Sequence, residues 1–246
     1  MLEFIKTSEL GADVHDDQNI KNDKGLIQRF QNIKKSLANA ALHAERNTCD
    51  VNLLAVSKRH TVSSIEALVK TGHRLFGENQ VQEALSKFPL IMDQVPDLSL
   101  HMIGSLQTNK VREAVEIFNV IETLDRPRLA TALAKERDKR GKCPDLFIQV
   151  NTGEELQKSG VLPSDADNFI AECRENMELP VIGLMCIPPL SEEPAMHFAL
   201  LAECARRNGL EKLSMGMSSD FETAIRLGAT EIRIGTGIFG TRDSLD

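Results

Sequence analysis

Apolar and polar positions along this chain follow two rhythms that take turns. Over 26–44, Leu26, Ile27, Phe30, Ile33, Leu37, Ala40 and Ala41 recur at helical spacing. Before them, an acidic tract over 1–24 gathers Asp13, His15, Asp16 and Asp17; such tracts rarely pack, so it reads as an irregular leader. Beyond the helix, short runs rich in Val, Ile and Leu alternate with amphipathic stretches. Strands are predicted over 51–56, 74–76, 98–103, 120–121, 146–150, 181–185, 212–214 and 231–234. Helices are predicted between them, from Thr61, Val81, Thr108, Arg126, Ser164, Pro194 and Asp220. Thr61 can cap its helix, Gly72 and Gly228 end theirs, and Pro127 and Gly141 bracket a third.

Eight strand segments separated by helices, in 246 residues, predict an α/β fold: one (β/α)8 barrel of TIM type over 25–246 with an extra N-terminal helix. A doubly wound open sheet shows the same alternation and is the rival architecture. The stretch after Ile234 holds Gly235, Gly237 and Gly240 and is too short for a full eighth helix. The helix from Leu26 is therefore expected to complete the barrel wall. No internal repeat, linker or second domain is visible.

Charge and cysteine usage narrow the function. A net charge of −7 argues against binding nucleic acid or anionic membrane through bulk charge. No apolar run is long enough to span a bilayer, and Met1-Leu-Glu-Phe-Ile-Lys lacks a secretory pattern. Five cysteines, odd in number and without C-x-x-C spacing, read as reduced thiols of a cytoplasmic protein with no metal site.

The candidate chemistry sits where predicted strands end. Lys212-Leu-Ser-Met-Gly-Met-Ser-Ser-Asp220 and Glu231-Ile-Arg-Ile-Gly-Thr-Gly-Ile-Phe-Gly240 each stop abruptly in Gly, Ser or Thr. These residues let a backbone approach an anion and supply donors to it, and a phosphate held by the loops after the last two strands is a recurrent barrel device. Ser219-Asp-Phe-Glu222 also fits a capping box, which on its own would only start a helix. Lys58 ends the first strand, with Val56 on its side and Ser57 and Arg59 on the other. A phosphate cup and a strand-end lysine together suggest a pyridoxal-phosphate site. Arg233 lies inside an apolar strand and is expected to serve a ligand or a buried carboxylate. Glu78, Asn79 and His101 read as hydrogen-bonding support, Lys158 as a second lysine after strand five, and Cys186 as a small buried filler.

At these residues the chain resembles a known family, the YggS/PROSC pyridoxal-phosphate homeostasis proteins, whose fold is similar to the barrel of bacterial alanine racemase. The resemblance rests on Ala55-Val-Ser-Lys58, Phe76-Gly-Glu-Asn79, Val81-Gln-Glu83, His101-x-Ile-Gly-x-Leu-Gln-x-Asn-Lys110, Lys158-Ser-Gly160, Leu213-Ser-Met-Gly-Met-Ser218, Arg233-Ile-Gly235 and Ile238-Phe-Gly240. It implies that Lys58 bonds pyridoxal 5'-phosphate covalently, that Ser218, Ser219, Gly235 and Thr236 hold the phosphate, that Asn79 and Met217 line the ring, and that Arg233 faces the pyridine nitrogen. Arg59-His60-Thr61, Gln80 and Leu100 depart from the family pattern, outside the proposed cup.

The chain has no tyrosine, the residue that serves alanine racemase as the opposing base. An arginine at the pyridine nitrogen leaves the ring a weak electron sink. The expectation is a monomeric carrier or buffer of the cofactor in vitamin B6 homeostasis, passing it to apo-enzymes, without robust catalysis. The alternative is a narrow-scope racemase or lyase. A phosphate-sugar enzyme would explain the cup but give Lys58 and Arg233 no joint role.

Overall fold

In the computed structural model, which describes residues 12–240, eight parallel strands close on themselves in sequence order. They are β1 (Asn52–Val56), β2 (Leu75–Glu78), β3 (Ser99–Met102), β4 (Val120–Leu124), β5 (Asp145–Gln149), β6 (Val181–Met185), β7 (Lys212–Ser214) and β8 (Glu231–Ile234). β1 pairs with both β2 and β8, so the sheet is a barrel and the open-sheet alternative falls away.

Strand alternation sorts the core into two parts. Ala55, Leu100, Ile148, Leu184 and Ile232 belong to the large cluster that also contains the helix residues Ile65, Leu68, Leu133, Phe198 and Leu201. Val120, Phe147 and Met185 form a separate small cluster. The inside is tight. A Cβ on Gly183 would lie 2.4 Å from the Lys212 carbonyl and 2.7 Å from the Phe147 ring, so only glycine fits there.

The helices follow the predicted order: α2 (Val62–Lys70), α3 (Val81–Lys87), α4 (Pro89–Gln94), α5 (Val111–Ile117), α6 (Pro127–Arg140), α7 (Ala166–Ala171), α8 (Pro194–Arg207) and α9 (Phe221–Arg226). Thr61 caps α2 through its side chain, and Gly141 ends α6 at φ +68°. α4 has no counterpart in the sequence reading: Phe88 and Pro89 start a new turn at once, and Ile91 anchors it. The helix expected over 164–176 is α7, continued by a π-turn over Glu172–Asn176.

After β8 comes one turn, α10 (Thr236–Phe239), and the first helix α1 (Ala12–His43) packs against it, against α9 and against α2. Arg29 donates to the carbonyls of Ile238 (2.8 Å) and Phe239 (3.0 Å), so α1 does complete the wall. The leader needs correction. α1 begins at Ala12, so 12–24 is helical rather than irregular; no proline or glycine interrupts the chain between Ala12 and Lys24. The rest of the expected leader, 1–11, lies outside the described residues, as do 241–246.

Candidate functional site

A cavity of about 430 Å³ opens where the strands end. It brings together the eight residues expected to hold the cofactor: Lys58, Asn79, Met217, Ser218, Ser219, Arg233, Gly235 and Thr236. Val56, His60, Ile103 and Ile187 complete its lining. Lys58 and Val56 share the cavity side as strand alternation requires, while the buried Ser57 faces away and donates to Glu78 Oε1 at 2.7 Å.

The loops after β7 and β8 meet. Thr236 Oγ1 lies 3.5 Å from Ser218 Oγ, so both hydroxyls can serve one anion. Gly216 holds φ +94°, and a Cβ there would stand 2.6 Å from Ala224 Cβ; the loop after β7 can fold onto α9 only with glycine at this point. The Ser219–Glu222 capping box is not formed. Asp220 is the N-cap of α9, and its carboxylate accepts the Met217 N–H at 2.6 Å. The helix starts one residue later than a Ser219 cap requires, so Ser218 and Ser219 stay in the loop and line the cavity.

Asn79, just after β2, also lines the cavity. Its Oδ1 is buried without a hydrogen-bond partner among the described residues, an acceptor with nothing to accept. Lys158 lies outside the lining, paired with Glu155 at 2.5 Å. Cys186 is fully buried, and burial pushes its thiol up to about 12, so it is an inert filler as expected.

Arg233 is 5 % exposed and rigidly held. Nη1 donates to Ser214 Oγ at 2.7 Å and Nη2 to the Cys186 carbonyl at 2.8 Å. Ser214 in turn donates to Glu122 Oε2 at 2.5 Å and lies 3.2 Å from Glu231 Oε1. His101 Nδ1 sits 2.8 Å from Glu122 and 3.5 Å from Glu231. The contacts join β3 and β4 to β7 and β8, so they cross the barrel interior beneath the cavity. Burial would lower His101, but the charge of Glu231 and the hydrogen bond to Glu122 raise it to about 10. Burial and the neighbouring Glu122 raise Glu231; Glu122 is held low, against burial, by the hydrogen bond and charge of His101. The two carboxylates therefore divide the load, Glu122 ionised and Glu231 the one that keeps a proton more readily. The ligand-type atoms of His101, Glu122 and Glu231 lie within 4.8 Å of one another, yet this hydrogen-bond network already occupies them.

Glu122, Ser214 and Glu231 were not singled out from the sequence. Glu231 and Arg233 stand two apart in one strand and so share a face, which was a usable signal. Glu122 gives no such signal: it follows the apolar pair 120–121 as a charge, yet β4 continues through it to Leu124.

A ligand with an anionic end, a flat ring and a carbonyl group fits this set: hydroxyls and glycine on two loops, a half-buried lysine, a fixed arginine and an unsatisfied amide oxygen. Comparison with known proteins agrees. The family model described as "Alanine racemase, N-terminal domain" matches residues 28–243. A pyridoxal phosphate homeostasis protein of Escherichia coli K12 is 37% identical over 227 residues, covering 89% of this chain and 97% of that protein. Its Pseudomonas aeruginosa counterpart is 40% identical over 223 residues, covering 89% and 96%. The structure of PipY from Synechococcus elongatus, described as having PLP bound, superposes with a TM-score of 0.70 at 38% identity, covering 78% of this chain and 93% of that one. The chain belongs to the pyridoxal phosphate homeostasis proteins, within the family of the alanine racemase N-terminal domain.

Proposed function

We propose that this protein binds pyridoxal 5'-phosphate in the cavity and carries or buffers it in vitamin B6 homeostasis, without robust catalysis. The observation that carries this reading is the convergence of Lys58, the Ser218–Thr236 cup and Arg233 on one cavity. The bound PLP of the PipY structure supports it.

When bound, the cofactor supplies an aldehyde that bonds a primary amine and a phosphate that takes anion donors. Lys58 offers the amine. Ser218, Ser219, Gly235 and Thr236 offer hydroxyl and backbone donors to the phosphate. Asn79 and Met217 would line the ring and help exclude water. Arg233 would face it as a permanent cation. A guanidinium does not give up its proton near neutral pH, so it orients the ring without protonating it.

The same residues disfavour the racemase alternative. Racemisation needs an acid and a base on opposite faces of the substrate. The chain contains no tyrosine, and Cys186 is sealed and protonated. The reading extends to apo-enzymes as recipients, to a monomer, and to the cytoplasm. Five free cysteines suit a reducing compartment, and no described helix is long and apolar enough to cross a membrane.

The test is an absorption spectrum of the purified protein with added cofactor, before and after borohydride, followed by peptide mapping. A visible band that borohydride removes, with the pyridoxyl group on Lys58, is expected. A dominant adduct on Lys158 or Lys110, with Lys58 unmodified, would overturn the assignment.

A further inference from the structure

Behind Lys58, away from the cavity, lies a second buried cluster. Lys87, on the last turn of α3, is only 9% exposed. Its ammonium donates to three acceptors: the Ser57 carbonyl at 2.9 Å, Glu78 Oε1 at 2.8 Å and Glu83 Oε1 at 2.7 Å. Three N–H donors thus meet three acceptors, which is what makes a buried lysine tolerable.

Each acceptor leads to the site. Ser57 immediately precedes Lys58, and Glu78 immediately precedes Asn79. Glu83 Oε1 also accepts the backbone N–H of Arg59, the residue after Lys58. The Ser57 hydroxyl donates to the same Glu78 oxygen at 2.7 Å. One ammonium therefore ties down the backbone on both sides of Lys58 and the start of the Asn79 loop. The tie has strain to restrain, because Arg59 holds φ +62°, a conformation that non-glycine residues avoid. Glu83 is held ionised: burial opposes this, but the hydrogen bonds from Lys87 and Arg59 outweigh it.

A plain staple between β1, β2 and α3 would need only side-chain contacts along the strands. Here the contacts fall on the main chain at positions 57 and 59.

We propose that Lys87, with Glu78 and Glu83, forms the positioning cluster of Lys58, fixing the backbone around it so that its amine meets the cofactor aldehyde at one set place in the cavity. The inference rests on the reading that Lys58 bonds the cofactor.

The test compares two ligands on the full chain. Pyridoxal 5'-phosphate and pyridoxine 5'-phosphate share ring and phosphate, but only the first has an aldehyde for Lys58. Lys87→Met and Glu83→Leu are each expected to weaken pyridoxal phosphate by roughly tenfold to a hundredfold, the size of one lost charge-assisted hydrogen bond. They should also slow growth of the visible band, and leave pyridoxine phosphate within about twofold. Glu83→Gln keeps an acceptor for Arg59 and should lie between. Equal losses for both ligands, or no loss for either, would overturn the positioning role. Should Lys87→Met fail to fold, Glu83→Leu decides, since Glu83 is half-buried at the surface end of the cluster. If borohydride fixes no pyridoxyl group on Lys58 of the unaltered protein, the underlying reading fails instead.

Discussion

Deleting the first helix should unfold the barrel, and its packing sets the scale. Leu26, Phe30 and Leu37 of α1 are 3%, 2% and 4% exposed. Burying side chains of this kind contributes roughly 1.5–3 kcal/mol each, so the three supply about 5–9 kcal/mol. Arg29 adds two hydrogen bonds to α10 carbonyls, and Arg46, just past the helix, adds two more at 2.8 Å to the carbonyls of Ile225 and Ala229. Whole domains are stable by only about 5–15 kcal/mol. Deletion through Arg46 removes all of this and uncovers Ile238 and Phe239 of the single turn α10. Deletion of 1–24 removes none of it. The shorter deletion should give a folded, cofactor-binding protein, and the longer one aggregate, as read by size exclusion, thermal denaturation and the visible band. Arg29→Ala is the finer probe. Its acceptors share the single turn α10 with Thr236, so it should lower both the melting temperature and phosphate affinity. A soluble, binding-competent product of the longer deletion would show α1 to be an appendage and refute the reasoning.

Three further outcomes are expected. Ser218→Ala should weaken pyridoxal phosphate by roughly 1.5–3 kcal/mol while barely affecting unphosphorylated pyridoxal; equal weakening in a binding titration would contradict a phosphate role. His101, raised to about 10, should stay an imidazolium at pH 8, about 99% protonated, in ¹⁵N NMR; a neutral ring there would contradict the buried network. Its folded value lies above the ordinary 6.5, so its stabilisation is complete below about 6.5 and is lost as pH rises toward 10. The melting temperature should therefore fall over that window, and fall less in His101→Gln. With cofactor bound, alanine and serine in heavy water should show at most slow α-proton exchange; rapid exchange with inversion, lost in Lys58→Ala, would promote the racemase reading.

What the sequence disclosed was whatever lies on the cavity surface or follows a clean period. Lys58, Asn79, the Ser218 loop and the Thr236 loop each end an apolar run, so their polarity stood out. The layer beneath did not stand out. Glu122 interrupts an apolar run, and a run broken by a charge looks like a strand that has ended; only the barrel's interior, with Ser214 and His101 opposite, makes a charge there tolerable. Lys87 had no local signal at all. A lysine near the end of a helix usually belongs to the solvent, and its burial follows from the fold of β1 and β2 around it. Asp220 shows the reverse limit: Ser219 carries capping chemistry in the sequence, but α9 starts one residue later, and the Asp220 carboxylate ties back to the Met217 N–H.

The buried layer also bears on the proposed reading, a cofactor held in a racemase-like barrel without robust catalysis. Arg233 is bound on one side by Ser214 and on the other by the Cys186 carbonyl. Two hydrogen bonds and burial hold the guanidinium in one orientation toward the cavity. A protonated His101 and Arg233 share the buried layer with two carboxyl groups, Glu122 held ionised and Glu231 the one that keeps its proton more readily. Of these groups Arg233 is the one that lines the cavity, where it would meet an anionic ligand. An electron sink needs the opposite, a ring nitrogen that accepts a proton as charge builds up. On the proposed reading, the interior that makes the cofactor bind is thus the same interior that keeps it idle. Relaxing it should trade affinity for reactivity: Ser214→Ala, which frees one side of Arg233, should weaken cofactor binding and raise α-proton exchange in the same protein. If binding weakened with no rise in exchange, the layer would be a holder of the ligand and not a restraint on its chemistry.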